Sequence, residues 1–403
     1  MRSVALVLAL ASSAYAHELF ARQSAYPEID EPGPRPKPEW VATYEAAKRA
    51  GKIPSFAPSV LNADGVPKYP RGTDLGEHGV CSWSEVGCYG PDDISAAPDG
   101  MWGLNFDDGP LPPAVPLYAF LEQNNQSATH FLMGSNVLKN PDVFTQALSS
   151  GAHFAVHTWS HPYMTALDDL GVIGELGWTI QVIFDRSGYI PRFWRPPFGD
   201  ADARVRAIAT EVFGLRLVGW DRDSNDWCTN PGAPAVSCAQ KGVTDQAGLE
   251  RELRGWATGS KSPGPIGLQH ENGPHPVNAF INTYPVFIQN GWNAMAVPDL
   301  FDEPWYLNAA RNGSTIDTSV AIGAGPNTEP LPSASTSEVS SATSASSMVT
   351  STRASSSFSE TAPPSNTAVP AREGQDNTEN GAATLFASSA FIAALGFGSL
   401  LLA

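Results

Sequence analysis

Between residues 101 and 297 short apolar runs alternate with amphipathic stretches, and this alternation restricts the fold more than any other feature. Strand-like runs fall at 101–106, 153–156, 193–195, 215–220, 265–269 and 293–297. Helical patterns lie between them at 140–150, 170–185, 201–213, 244–256 and 277–289. Asn140 and Pro141 read as an N-cap with proline in the first turn, and Thr244 as another cap. Gly151, Gly188, Gly214 and Gly291 sit where helices stop. Strand–helix alternation of this length predicts an α/β domain with a parallel sheet, either open or closed into a barrel.

Polar clusters follow the strand-like runs in order. Asp107-Asp108 follows the first, and His157-Thr158-Trp159-Ser160-His161 the second. Arg195-Pro196-Pro197-Phe198-Gly199, Asp223-Ser224-Asn225-Asp226-Trp227 and His270 end the next three. In barrels the carboxyl ends of strands carry the site, so five clusters obeying one rule converge on one rim.

Two adjacent carboxylates at the end of a buried segment repel one another, and burial raises their pKa values. Asp-Asp-Gly-Pro also suits a simple turn. A cation nearby would explain the pair better. His157 and His161 are four residues apart, so a helical turn would place both on one side, rising about 6 Å. Two imidazoles and one carboxylate give three ligands with a position left for water, the stoichiometry of a catalytic zinc site. One aspartate would bind the ion and its neighbour would serve as base. A divalent ion lowers the pKa of water from about 15.7 to about 7, roughly 12 kcal/mol of proton affinity.

At this point the chain resembles a known family. Asn105-Phe106-Asp107-Asp108-Gly109-Pro110, the His157–His161 and Arg195–Gly199 segments, Asp223–Trp227 and Ile266-Gly267-Leu268-Gln269-His270 look like the five ordered motifs of polysaccharide deacetylases. These are carbohydrate esterase family 4, or NodB-homology, enzymes. Within them the chain looks most like the GPI-anchored chitin deacetylases of fungi. The resemblance spans about residues 101–297. It implies a distorted or incomplete (β/α) barrel and a divalent metal on Asp108, His157 and His161, most simply Zn2+, with Co2+ or Mn2+ as alternatives. It makes Asp107 the general base beside Arg195, and His270 the general acid tuned by Asp226. Trp227 and Leu268 would wall an acetyl pocket, and the Phe198 amide would help hold the oxyanion. Asn105 stands where the family usually has Thr, and Phe198 where it often has Tyr. The implied partner is chitin or a related N-acetylglucosamine polymer. Other acetylated polysaccharides, and a non-catalytic wall-binding protein on the same fold, are the alternatives.

The remaining sequence fits a surface protein. Residues 1–16 have one arginine, an apolar centre and a small-residue end, a secretory signal cut before His17. Residues 17–75 are Pro-rich and charged, an extension containing one helical stretch near 39–49. The catalytic domain is expected at 76–310, followed at 325–380 by a Ser/Thr/Pro-rich stalk too polar to bury a core. Residues 381–403 read as a GPI-attachment tail with Asn380 as candidate site. The spacer after Asn380 is shorter than the rule prefers, which leaves an earlier site open. This predicts a secreted protein held at the plasma membrane through a GPI anchor, or in the wall.

Cys81, Cys88, Cys228 and Cys238 allow three disulfide pairings in an oxidising compartment, and proximity favours 81–88 with 228–238. Their spacings do not suit a four-sulfur zinc site. Asn125 and Asn312 begin N-glycosylation sequons. A net charge of −17, from 24 Lys+Arg against 41 Asp+Glu, argues against nucleic acid as a partner.

Overall fold

The computed structural model describes residues 26–326, apart from Gly232 and Pro234. The signal sequence, the stalk past residue 326, the hydrophobic tail and Asn380 lie outside the described residues.

The sheet is built around β3 (Met101–Gly109), whose residues are almost all buried. A near-continuous apolar strand is what a parallel sheet covered on both faces requires. After two short paired strands, β1 (Val60–Leu61) and β2 (Pro67–Lys68), come β3, β4 (Thr129–Leu132), β5 (His153–Val156), β6 (Phe193–Trp194), β7 (Arg216–Leu217), β8 (Arg222–Asp223), β9 (Gly267–Leu268) and β10 (Asn293–Ala296). Six strands form one sheet in the order β10-β3-β4-β5-β6-β7, all pairs parallel. β8 follows β7 and pairs in parallel with β9. The β9 segment returns to β3 through parallel bridges Gly103–Ile266 and Asp107–His270. The six-stranded sheet thus curls into a half-barrel, with the β8–β9 pair bridged back to β3, the arrangement of a distorted (β/α) barrel that is left open between β7 and β8.

Two helices precede β3, α1 (Pro38–Arg49) and the short α2 (Trp83–Val86). The helices that follow it are α3 (Val115–Gln123), α4 (Gly134–Lys139), α5 (Pro141–Ser149), α6 (Asp169–Ser187), α7 (Ala203–Phe213), α8 (Ala235–Lys241), α9 (Gln246–Thr258) and α10 (Pro274–Gln289). α6 starts where Asp168 accepts from Gly171 N at 2.7 Å and ends at left-handed Gly188. α7 is capped by Asp202 and ends at left-handed Gly214. Two expected caps change. Asp245, not Thr244, accepts from Gly248 N and opens α9. Asn140 occupies the cap position of α5 but makes no side-chain cap bond; its Nδ2 donates to Asn136 O instead. Strand β4 and helices α3 and α4 were not expected from the periodicity.

The N-terminal extension belongs to the same compact unit as the sheet. Its helix α1 buries Trp40, Tyr44 and Ala47 in a cluster with Ile173 and Leu176 of α6 and Val212 and Phe213 of α7. A Cβ on Gly177 would lie 2.5 Å from the Trp40 ring, so glycine there is what lets the indole seat. Losing a buried tryptophan of this kind costs about 3–5 kcal/mol. Val320 and Ile322 pack on the same cluster, so the folded part extends past residue 310.

The disulfides are Cys81–Cys88 and Cys228–Cys238, the pairing that proximity favoured. Asn125 is exposed. Asn312 uses its side chain in the fold, accepting from Tyr306 OH and donating to Ala152 O, both at 2.8 Å. Among the described residues no helix is long and apolar enough to cross a membrane.

Candidate metal and acid–base site

Successive residues of a strand point to opposite faces, so Asp107 and Asp108 should diverge. They do not, because the pairing of β3 with β4 slips between Asp107 and Gly109 and Asp108 has φ 73°. A bulge of this kind re-aims a side chain. Both acids now approach one imidazole: His157 Nε2 lies 3.4 Å from Asp108 Oδ1 and 3.9 Å from Asp107 Oδ2.

His157 and His161 also converge, but not by the helical turn that their spacing suggests. Residues 157–161 are non-helical. Thr158 (φ 67°) and His161 (φ 64°) are left-handed, folding the loop so that the rings lie 5.0 Å apart. Non-glycine residues in that region are costly and cluster at functional sites. His161 Nε2 is also 3.4 Å from Asp108 Oδ1.

The donor chemistry of this cluster fits a divalent cation. Asp108, His157 and His161 each offer one ligand atom, all within 4.8 Å of one another. Asp108 Oδ1 is buried without a hydrogen-bond partner. His157 Nδ1 donates to Arg195 O at 2.8 Å, which leaves the Nε2 lone pair pointing at the cluster. Burial pushes His161 down to about 4 despite the pull of Asp108, so its ring is neutral at neutral pH. Burial would raise Asp108, but the neighbouring imidazoles hold it well below the usual carboxylate range. One carboxylate and two imidazoles therefore share a focus.

Residues 95–218 match the polysaccharide deacetylase family. Chitin deacetylase 3 of Cryptococcus neoformans var. neoformans serotype D is 40% identical over 275 residues, covering 67% of this chain and 65% of that protein. The chain carries a polysaccharide deacetylase domain. The chitin deacetylase of Amylomyces rouxii is 38% identical over 186 residues, 44% of this chain and 43% of that one. The chain thus spans less than two thirds of the length of these curated relatives. The solved chitin deacetylase of Colletotrichum lindemuthianum has a TM-score of 0.44 at 20% identity, covering 52% of this chain and 90% of that one.

Around the polysaccharide deacetylase cluster the other expected residues fall as follows. Arg195, fully buried, donates from Nη1 to Asp107 Oδ1 at 2.8 Å and to Asn105 Oδ1 at 2.5 Å. Its other nitrogens donate to Val218 O and Gly219 O, so the fork is held on both sides. Asn105 thus supplies a second acceptor for the arginine. Asp107 and His270 are paired positions on neighbouring parallel segments, which directs both side chains to one face. Asp226 accepts from the His270 backbone N–H and meets Nδ1, each at 2.6 Å. Burial alone would depress His270, but Asp226, with Asp108 and Asp107 beyond it, pushes it up to about 10. Leu268 is buried in β9, and Trp227 is half-buried in the short turn after β8. Phe198 is left-handed (φ 59°) and 39% exposed, stacked on Tyr163 and edge-on to His161.

Three supporting residues escaped the sequence reading. Asn272 Nδ2 donates to Asp108 Oδ2 at 2.7 Å, fixing the carboxylate so that Oδ1 faces the imidazoles. Asn136 Nδ2 donates to Asp108 O. Glu175 sits fully buried beneath the histidine loop. Its signal was legible in principle: one acid among apolar residues in the stretch GVIGELGW, where an unpaired charge would be too costly to keep.

Proposed function

We propose that the protein is a metal-dependent deacetylase that hydrolyses N-acetyl groups on N-acetylglucosamine polymers, converting chitin to chitosan and acetate. The observation that carries the reading is the convergence of Asp108, His157 and His161 with a separate carboxylate, Asp107, held by Arg195. The curated relatives, named as chitin deacetylases, support chitin as the polymer.

Asp108, His157 and His161 would hold the ion, and zinc suits a set of two imidazoles and one carboxylate. The ion would polarise the acetamide carbonyl and acidify water. Asp107 takes the proton of the attacking water as its oxygen bonds to the carbonyl carbon. The Phe198 N–H is the proposed donor to the oxyanion. His270 then delivers a proton to the amine nitrogen as the C–N bond breaks, because an amide anion is too poor a leaving group. Acetate and a free amine result, and each acid–base partner contributes about 10²–10⁴-fold. Trp227 and Leu268 would bound the acetyl group. The signal-like segment, the stalk, the apolar tail and two disulfides support secretion and GPI attachment at the membrane or wall.

Incubating the purified protein, loaded with zinc, cobalt or manganese, with defined N-acetylglucosamine oligomers is expected to release acetate. No release with any of these metals, on chitin oligomers, acetylated xylan or peptidoglycan fragments, would favour a non-catalytic binder. Release from peptidoglycan or xylan alone would move the substrate, not the chemistry.

The pH profile tests the acid. A carboxylate beside imidazolium stabilises the charged form, so Asp226→Asn lowers the pKa of His270. The alkaline limb of kcat/KM is expected to move to lower pH by about 1–3 units, the range a nearby opposite charge produces. A limb that stays in place would remove His270 as the acid under Asp226 control.

A further inference from the structure

Glu175, a fully buried acid on α6, makes four hydrogen bonds through its carboxylate, and they divide by oxygen. Oε2 accepts from Trp159 N at 2.7 Å and Ser160 N at 2.9 Å. Oε1 accepts from Ser160 Oγ at 2.7 Å and from Gly33 N at 2.8 Å. Trp159 and Ser160 lie between the two histidines, and Gly33 lies in the N-terminal extension.

The loop they hold is under conformational strain. Thr158 and His161 are both left-handed, and such residues persist only where their surroundings over-determine them. Other ties on the loop include backbone bonds from α4, Gly134 N to Thr158 O and Ser135 N to Trp159 O, and His161 N to Thr158 Oγ1. None of these satisfies the Trp159 and Ser160 amides, which among the described residues Glu175 alone serves.

The second oxygen meets a docked segment. A Cβ on Gly174 would lie 1.6 Å from Pro34 O, so residues 33–34 rest directly on the helix next to Glu175. Trp159 Nε1 donates to Glu28 O, and Tyr26 stacks on the Trp159 ring. The extension and the histidine loop thus share one carboxylate.

We infer that Glu175 is a positioning residue for the metal-ligand loop, holding the 157–161 bend through Oε2 while Oε1 links Ser160 Oγ of that loop to Gly33 of the N-terminal extension. The inference rests on the metal reading of Asp108, His157 and His161 only for its effect on affinity; the tether itself is independent of any ion.

Three full-length variants separate the two arms. Glu175→Ala removes both. Glu175→Gln keeps one oxygen, which turns to the two backbone N–H groups because they cannot reverse. Its amide then faces Ser160 Oγ, which can accept, and Gly33 N–H, which cannot. Gly174→Ala displaces Pro34 while leaving the carboxylate intact. Metal affinity, by competition with a chromophoric chelator, is expected to fall about 10–100-fold in Glu175→Ala, as for loss of an outer-shell partner. It should stay within about threefold of the parent in Glu175→Gln and Gly174→Ala. In metal-free protein, hydrogen exchange at the Trp159 and Ser160 amides should accelerate only in Glu175→Ala, and exchange at Gly33 in all three. Parent-like affinity and exchange in a folded Glu175→Ala would overturn the inference. So would Gly174→Ala weakening the metal as much as Glu175→Ala, because the effect would then run through the segment. If Glu175→Ala does not fold, Glu175→Gln still decides: loss of metal affinity with Gly33 still protected contradicts the assignment of oxygens. A parent protein that binds no metal would refute the ligand set, and the exchange data would still judge the tether.

Discussion

Replacing Asp107 by asparagine is expected to lower kcat for acetate release by about 10²–10⁴-fold while leaving the metal in place. The substitution is isosteric. The new side-chain amide would still accept from Arg195 through its oxygen, and Arg195 would keep Asn105 Oδ1, Val218 O and Gly219 O as acceptors. What disappears is the ability to take a proton from water. The ligand atoms belong to Asp108, His157 and His161, so metal content by elemental analysis should match the parent. A cost in stability is expected as well, because Arg195 is fully buried and would lose its counter-charge. Thermal unfolding separates that cost from the chemistry: a folded, metal-loaded, inactive variant identifies the base. Unchanged turnover would remove Asp107 from that role, and loss of the metal would show that it is a ligand instead.

The rim of the site was legible because parallel strands are buried runs that end abruptly in polar residues. Residues 153–156 form β5 as expected, and the polar cluster after them lies beside the one after β3. The local geometry was not legible. Nothing in Asp-Asp-Gly says that the ladder slips by one residue, because a bulge is a property of the pair of strands. A His-x3-His spacing suggested a helix, yet left-handed Thr158 and His161 form the bend. β-Branched Thr158 is held there by the start of α4 at its carbonyl and by Glu175 at the next two amides, partners distant in sequence. β4 was missed because Thr-His-Phe-Leu has no alternation: all four residues are buried, two of them polar. Its Thr129 hydroxyl meets His153 and the Val297 amide, and His130 Nδ1 meets Glu271, partners that periodicity cannot supply. Residues 215–220 shortened to β7 because the chain bridges Ile94 at Val218 and then leaves for β8. At 244–245 two capping residues stand side by side, and the one three residues before Gly248 makes the bond.

Replacing His157 by alanine is expected to abolish metal binding at micromolar ion and with it acetate release. The affinity loss should exceed the roughly 10–100-fold that an outer-shell change costs, since a ligand atom itself is gone. His157 commits both nitrogens to the site: its Nε2 is 3.4 Å from Asp108 Oδ1, and its Nδ1 donates to Arg195 O. Removing the ring leaves that buried carbonyl without its donor, a cost of about 1–3 kcal/mol on top of the cavity. A melting curve must therefore accompany the metal measurement. His161→Ala supplies the control. His161 is half-buried, and its loss should also strip the ion. Asp107→Asn should not strip it. That pattern, two histidine variants empty and the aspartate variant full, distinguishes a three-residue ligand set from a general loosening of the rim. Full metal occupancy in folded His157→Ala would mean that the ion is held elsewhere. Asp108 and Asp107 would then be two acids crowded together for some other reason, and the case for hydrolysis at this rim would fail with them.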